Sequence, residues 1–433
     1  MTALTLNEWG TYAPESVPAL VGLSLRDDAV RRLAAELAST DRLKVQELRA
    51  GLQIETTSFV GTLRLGDLHL TVQPKLNGFP LLNLMRYAYG LRDLRLFEAL
   101  PQGVADTAFH DLLIHQLATE VSELLARGLH RRYEREESLL GSPRGRIDFA
   151  GLARGAGTAR AALPCIHHPR KEDVLLNRAI LAGLRLGARL TADLGLRGQV
   201  RRLAALLGDS VTDVLATGEV LRQARRQTNR LTAAYRPALA IVELLVEGQG
   251  TDVRALGETV SVPGFLFDMN RFFQALISRY LHEHLPGHVV HDEHRLAGML
   301  AYDPRRNPKR RRAPSPRPDF VIQRGPRRVG TLDAKYRDLW EQPLPQAMLY
   351  QLVIYASSSE ADGRAVILYP TLDPVAQEAC IEVRDPVAGR HHAEVILRPV
   401  DVLRVERLVA SPHTAQQERD AETYARQLVY GAA

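Results

Sequence analysis

The segment Arg317-Pro318-Asp319-Phe320-Val321-Ile322, followed after a short turn by Gly330-Thr331-Leu332-Asp333-Ala334-Lys335, decides how this chain is read. Both halves have the apolar, β-branched make-up of strands, and the pattern predicts one strand over 319–323 and another over 329–334. Period-two geometry puts Asp333 and Lys335 on one face and turns Ala334 away, so that a carboxylate and an ammonium become neighbours. Paired, the two strands each present one acid, Asp319 and Asp333, to a shared site. Charges on strands this apolar are costly to bury unless they are coordinated. Two carboxylates and the main-chain carbonyl of Ala334 suit a hard cation, Mg²⁺ or Mn²⁺ in its place, and a neighbouring Lys positions or activates water. That combination is the chemistry of phosphodiester hydrolysis. Each half alone is better read as an ordinary surface pair, and it is the two together that point to a site.

Outward from this segment, Gln346 to Ser357 reads as a helix with Gln351 and Tyr355 four apart on one face, where both reach a nucleic-acid strand or the metal surroundings. Just upstream, Arg305, Arg306, Lys309, Arg310, Arg311, Arg312 and Arg317 form the densest basic run in the chain, a candidate DNA-binding arm as well as a solvated loop. Phe265 to His284 reads as a helix, and 289–291 and 365–369 as short strands. Together these predict an αβ domain over 256–433.

The preceding 255 residues differ in character. Val60 to Val72 reads as a hairpin turning at Leu65-Gly66-Asp67 and ended by Pro74, inside a β-rich module spanning 1–105. From Phe109 to Arg132, from Asp173 to Leu190 and from Gln199 to Leu207, apolar residues recur at threes and fours, predicting a helical middle region over 106–255 that ends in a glycine-rich linker over 247–263. The fold class expected is therefore α+β.

Composition narrows the function classes. The 433 residues carry 56 Lys and Arg against 50 Asp and Glu, a net charge of +6, with 45% hydrophobic residues and two cysteines, Cys165 and Cys380. This excludes a disordered chain and a disulfide framework. Residues 1–12 lack the pattern of a secretory leader and no eighteen-residue apolar run follows, so a cytoplasmic protein without membrane contact is expected. His282, His284, His288, His291 and His294 crowd together without the spacing of a zinc motif and read as capping and surface residues, and His167-His168 beside Cys165 likewise. In the loop Gly141 to Asp148, Arg144 and Arg146 suit either a phosphate or a salt bridge to Asp148 or Glu136. The sequence contains no G-x-x-x-x-G-K-[ST] loop, so an NTP motor is expected from a partner.

Pro318-Asp319, Asp333-Ala334-Lys335 and Gln351 to Tyr355 resemble the PD-(D/E)xK nuclease superfamily, including the trailing Gln-x-x-x-Tyr helix of some DNA-processing branches. The rest of the chain is similar to the McrC family, the nuclease subunit of the McrBC system that restricts DNA carrying modified cytosine. That likeness rests on Val72-Gln-Pro-Lys75, Leu82 to Leu91, Gly141-Ser-Pro-Arg-Gly-Arg-Ile-Asp148 and Glu172-Asp-Val-Leu-Leu-Asn177-Arg178, in this order along the chain. The resemblance implies a C-terminal restriction-endonuclease-like domain that cuts double-stranded, modified DNA with Mg²⁺. It also implies an N-terminal module that docks on a McrB-like hexameric AAA+ GTPase and stimulates it. One position departs from the pattern: in Phe272-Phe273-Gln274 the family's Glu is replaced by Gln274, with Glu283 or Glu293 as possible compensation, which favours a single metal at Asp319 and Asp333. The alternatives are a stand-alone repair or recombination nuclease and a non-catalytic adaptor that activates the partner.

Overall fold

The computed structural model describes residues 2–76, 78–91, 109–154, 162–248, 252–255, 258–261, 264–358, 363–410 and 414–431. They form two compact units, one drawn from both ends of the sequence, before 92 and after 251, and one from 109 to 248.

The first unit begins with β1 (Thr2–Asn7), β2 (Thr11–Tyr12), α1 (Asp28–Ser39), β3 (Leu43–Leu48), β4 (Gly51–Thr56), β5 (Phe59–Leu65), β6 (Leu68–Gln73) and α2 (Gly78–Tyr89). β5 and β6 form the expected hairpin, and Gly66 at φ 59° takes the left-handed position that a two-residue loop requires. β1 lies parallel to β6, β2 and β3 flank β4, and Leu20, Leu37, Leu52, Ile54 and Leu70 form a shared apolar core.

The second unit holds α3 (Phe109–Arg127), β7 (Arg132–Tyr133), β8 (Glu136–Leu140), β9 (Arg146–Ile147), α4 (Phe149–Arg154), β10 (Leu163–His167), β11 (Arg170–Lys171), α5 (Leu175–Leu190), α6 (Leu194–Gly208), α7 (Gly218–Arg226) and α8 (Arg236–Glu247). α5 packs against α3, α6, α7 and α8, as the helical spacing predicts, while the short strands β7 to β11 interrupt a region that reads as helical. The motif around Asn177 is the lock of this unit. Asn177 is fully buried: its Nδ2 donates to the carbonyls of His130 (3.0 Å) and Glu172 (2.6 Å), and its Oδ1 accepts from Tyr235 Oη (2.7 Å). Tyr235 Oη in turn accepts from His130 N at 2.8 Å. Asp173 receives Arg178 (2.7 Å) and Thr212, and the Arg178 guanidinium holds its carboxyl well below the usual range.

The chain then returns to the first unit through β12 (Asp252–Ala255), β13 (Glu258–Ser261), β14 (Gly264–Asp268), α9 (Met269–His284), β15 (Val289–Asp292), β16 (Phe320–Arg324), β17 (Arg327–Ala334), α10 (Gln346–Ser357), β18 (Arg364–Thr371), β19 (Ala379–Arg384), β20 (His391–Asp401), α11 (Val402–Val409) and α12 (Ala415–Tyr430). β12 and β13 pair as a hairpin inside the stretch that reads as a linker. Residues 265–268, which read as the start of the following helix, belong instead to the strand β14, which pairs with β5 and completes the order β1-β6-β5-β14. Gly61 makes this possible: a Cβ there would lie 2.0 Å from the carbonyl oxygen of Phe265. A six-stranded mixed sheet, β15-β16-β17-β18-β20-β19, follows, with α10 packed on β18 and β20 through Leu352, Tyr355, Ile367 and Val395. The architecture is α+β. No helix among the described residues is long and apolar enough to cross a membrane.

Candidate active site

β16 and β17 run antiparallel with Phe320 opposite Leu332, so Asp319, one step before Phe320, comes to the level of Asp333. β17 is buried on both faces at its end, from Thr331 to Ala334, so Asp333 is only 2% exposed, and the strand period puts Lys335, just past the strand end, on the same face as Asp333. Lys335 Nζ stands 2.9 Å from Asp333 Oδ2 and 3.8 Å from Asp319 Oδ2. The structure therefore brings all three groups together.

Two neighbours fix Asp319. Its Oδ2 accepts the main-chain N–H of Ala334 at 2.8 Å, and its Oδ1 accepts Gln274 Nε2 at 3.1 Å. Gln274 is presented by α9, whose first turn is capped by Asp268 Oδ1 accepting the amides of Asn270 and Arg271. From the other side, α10 supplies Tyr355, whose Oη accepts from Gln351 Nε2 (2.5 Å) and donates to the Arg317 carbonyl (2.9 Å), pinning the chain two residues before Asp319. Gln351 and Tyr355 thus share a face as the spacing predicts, and Tyr355 grips backbone.

The electrostatics follow from burial and like charge. Burial first, then the Asp333 carboxylate, push Asp319 up to about 7, against the opposing pull of Lys335 and the Ala334 amide. Burial pulls Lys335 down, but Asp333 and Asp319 outweigh it and hold the amine above its ordinary value, so it stays charged. Burial and the same two carboxylates raise Tyr355, with Gln351 opposing.

Asp333 Oδ1 is buried and has no hydrogen-bond partner. A buried carboxyl oxygen left so is expensive unless a further group meets it, and a hard divalent ion is the group that an all-oxygen donor set accepts. Asp319 and Asp333 fit such an ion. Ala334 is seen here through its amide, which holds Asp319. No group of three or more His, Cys, Asp or Glu suited to a metal occurs among the described residues, so the carboxylate pair stands without a third acid.

Other expected residues lie elsewhere. Glu283 is exposed and paired with Arg279 at 2.7 Å, and no hydrogen bond or ion pair joins it to Asp319. Glu293 braces the site from outside: its amide donates to the Asp319 carbonyl at 2.7 Å and its carboxylate pairs with Arg317. Arg305, Arg306, Lys309, Arg310, Arg311 and Arg312 form an exposed arm in which, among the described residues, only the Arg306 side chain pairs with a carboxylate, Asp303 at 3.8 Å. The histidines disperse: His282 to the Ser278 carbonyl, His288 to Tyr430, His291 to Gln323, and His284 into the packing beside Tyr280. Arg144 and Arg146 are exposed, and Glu136 pairs with Lys171 at 2.8 Å. Sequence reasoning missed Asn270, whose Oδ1 accepts the amide of Tyr336, the residue after Lys335, at 2.9 Å. The helix-start pattern Asp268-x-Asn270 was the available signal.

A family model described as a McrBC 5-methylcytosine restriction system component matches residues 54–370. Among solved structures, the chain is similar to one in the refined half-complex from the tetradecameric assembly of Thermococcus gammatolerans McrB AAA+ hexamers with bound McrC. The two are 19% identical with a TM-score of 0.64, covering 99% of this chain and 100% of that one. A chain in the cryo-EM structure of the Thermococcus gammatolerans McrBC complex is 21% identical with a TM-score of 0.47, covering 65% of this chain and 88% of its own. No curated protein matches.

Proposed function

The chain belongs to the family of McrBC 5-methylcytosine restriction system components, and from that premise we propose that it is the nuclease subunit of such a system. In this reading it is a cytoplasmic, Mg²⁺-dependent endonuclease of the PD-(D/E)xK type. It docks on a McrB-like hexameric AAA+ GTPase, stimulates it, and cuts the modified double-stranded DNA that the partner translocates. The observation that carries the reading is the buried, unpartnered Oδ1 of Asp333 beside a charged Lys335.

The roles follow from the donors. Asp319, Asp333 and the Ala334 carbonyl would hold Mg²⁺, which when bound stabilises negative charge developing on the phosphate. Lys335 keeps its proton between two carboxylates, so it serves as a fixed cation and hydrogen-bond donor that orients the attacking water toward phosphorus. Gln274 and the Ala334 amide hold Asp319 in register for this, and Tyr355 keeps the Arg317-Pro318 segment from shifting. The arm from Arg305 to Arg312, with Arg317 at its base, neutralises flanking phosphates, which makes binding steeply salt-dependent.

Gln274 supports a second reading, an adaptor whose site has lost a charge and which only activates the partner. Plasmid carrying modified cytosine, Mg²⁺ and the purified chain, with and without the partner GTPase and GTP, separates the readings. Cleavage with the partner alone supports the proposal, cleavage without it supports a stand-alone nuclease, and GTPase stimulation with intact plasmid supports the adaptor.

A further inference from the structure

Lys335 ends in an amine on a flexible four-carbon stem, so where that amine rests depends on how firmly its backbone is held. One side is held by the sheet, with Lys335 N donating to the Leu368 carbonyl at 3.0 Å. The other side is Tyr336, buried and gripped at both main chain and side chain. Its N–H donates to Asn270 Oδ1 (2.9 Å), and Asn270 Nδ2 donates to Ser58 Oγ (2.8 Å), just before β5. Its Oη donates to Glu8 Oε1 (2.9 Å), just after β1, and that oxygen also accepts the amide of Lys75, just after β6, at 2.8 Å. Every anchor of Tyr336 thus runs to the N-terminal sheet directly or through α9, which grows out of that sheet's edge strand β14.

The junction is more constrained than packing demands. Glu8 is 3% exposed, its Oε2 has no partner, and burial pushes it up to about 7. Burying this carboxylate is costly, and what it obtains in return is a fixed position for the two donors that converge on its Oε1, Tyr336 Oη and Lys75 N. The next residue, Trp9, sits at φ 56°, a conformation that persists only where surroundings over-determine it, and the Arg337 guanidinium lies 5.2 Å over its ring.

We propose that the N-terminal sheet is a positioning element of the active site, with Glu8 and Asn270 acting through Tyr336 to set Lys335 against Asp319 and Asp333. This rests on the nuclease reading above. Glu8, Asn270 and Tyr336 are positioning residues, since none of them touches the carboxylate pair.

Tyr336→Phe removes one hydroxyl and keeps the ring in its edge contact with Phe273. With partner, GTP, DNA and Mg²⁺ saturating, it should cut about tenfold more slowly, the scale of a sub-ångström misplacement of a reacting group. The DNA and Mg²⁺ concentrations for half-maximal rate, and stimulation of the partner's GTPase, should stay unchanged. Glu8→Ala should match it. Glu8→Gln, whose amide oxygen still accepts from Tyr336 and Lys75, should stay within about twofold of the parent. Parental rates in both Tyr336→Phe and Glu8→Ala would overturn the positioning role and leave the nuclease reading standing. So would a loss in Glu8→Gln equal to that in Glu8→Ala, or losses that follow melting temperature and GTPase stimulation. A parent chain that never cuts would overturn the nuclease reading itself, and this role with it.

Discussion

Two buried polar motifs sit in the two units of this protein and end in opposite states. Around Asn177 each polar atom of the side chain has found a donor or acceptor. Around Asp333 one carboxylate oxygen is sealed from water and left without a partner, and its neighbour Asp319 is pushed up to about 7. A fully satisfied network rigidifies a fold, whereas an unsatisfied charge is tolerated where something else is meant to bind. The difference marks the first as a structural lock and is what motivates the proposal of the second as the chemical site, although both begin as short motifs of Asp, Asn, Arg and Lys in the sequence.

The comparison breaks most decisively at Asp333. Asp333→Ala should lower cleavage by at least about a thousandfold, the scale of several kcal/mol of lost charge stabilisation. Partner GTPase stimulation and thermal stability should be preserved, because the substitution relieves the like-charge repulsion on Asp319 while Lys335 keeps Asp319 as its partner. Plasmid cleavage, GTP turnover and a melting curve measure the three, and a variant that still cuts removes the metal site from this position. Asn177→Ala should do the reverse. It leaves Tyr235 Oη and two carbonyls short of a partner and should destabilise the chain by about 3 kcal/mol in urea denaturation, with cleavage per folded molecule unaltered.

pH sharpens the contrast. Below about 7 a proton on Asp319 competes with the cation, so Mg²⁺ half-saturation should tighten roughly tenfold per pH unit from about 5.5 to about 7 and level off above. In the absence of metal the folded chain keeps this proton after the unfolded chain has lost its own, near 3.8, so stability falls as pH rises between about 4 and about 7. Asp173 has the opposite sign. Its depressed value contributes stability that is complete above the ordinary carboxylate range and is lost as pH falls below it. Melting temperatures of Asp319→Asn and Asp173→Asn across pH should show these two trends flattened separately. The smallest effect belongs to Glu283→Ala. Its surface pair with Arg279 is worth up to about 1 kcal/mol, and cleavage assayed with the partner should not change.

Much of the site was legible because its signals are local. Asp333 and Lys335 share a face by strand alternation alone, and Gln351 and Tyr355 by helical spacing. The hairpin turning at Gly66 follows from turn chemistry, and the helix 346–357 from its periodicity. Residues 265–268 misled because four mostly apolar residues running into a helix carry no period of their own, and their strand character comes from β5, two hundred residues earlier. The strands β19 and β20 and the helices α11 and α12 were not read at all. The motif Glu172 to Arg178 was noticed as a family likeness, but its part as a lock depends on Tyr235 and His130, which no local pattern connects to it.

The residue types, their alternation and their spacing were enough to predict that Asp333 and Lys335 would share a strand face, with Asp319 brought to the same site in a C-terminal αβ domain, because strand and helix periods are set by near neighbours. Which carboxylate oxygen stays unpartnered, which acid holds its proton near neutrality, and that Glu8 reaches Tyr336 across 328 positions were decided only by the folded chain. Burial and the identity of each atom's partner depend on segments brought together by folding, and no window of sequence contains both sides of such a contact.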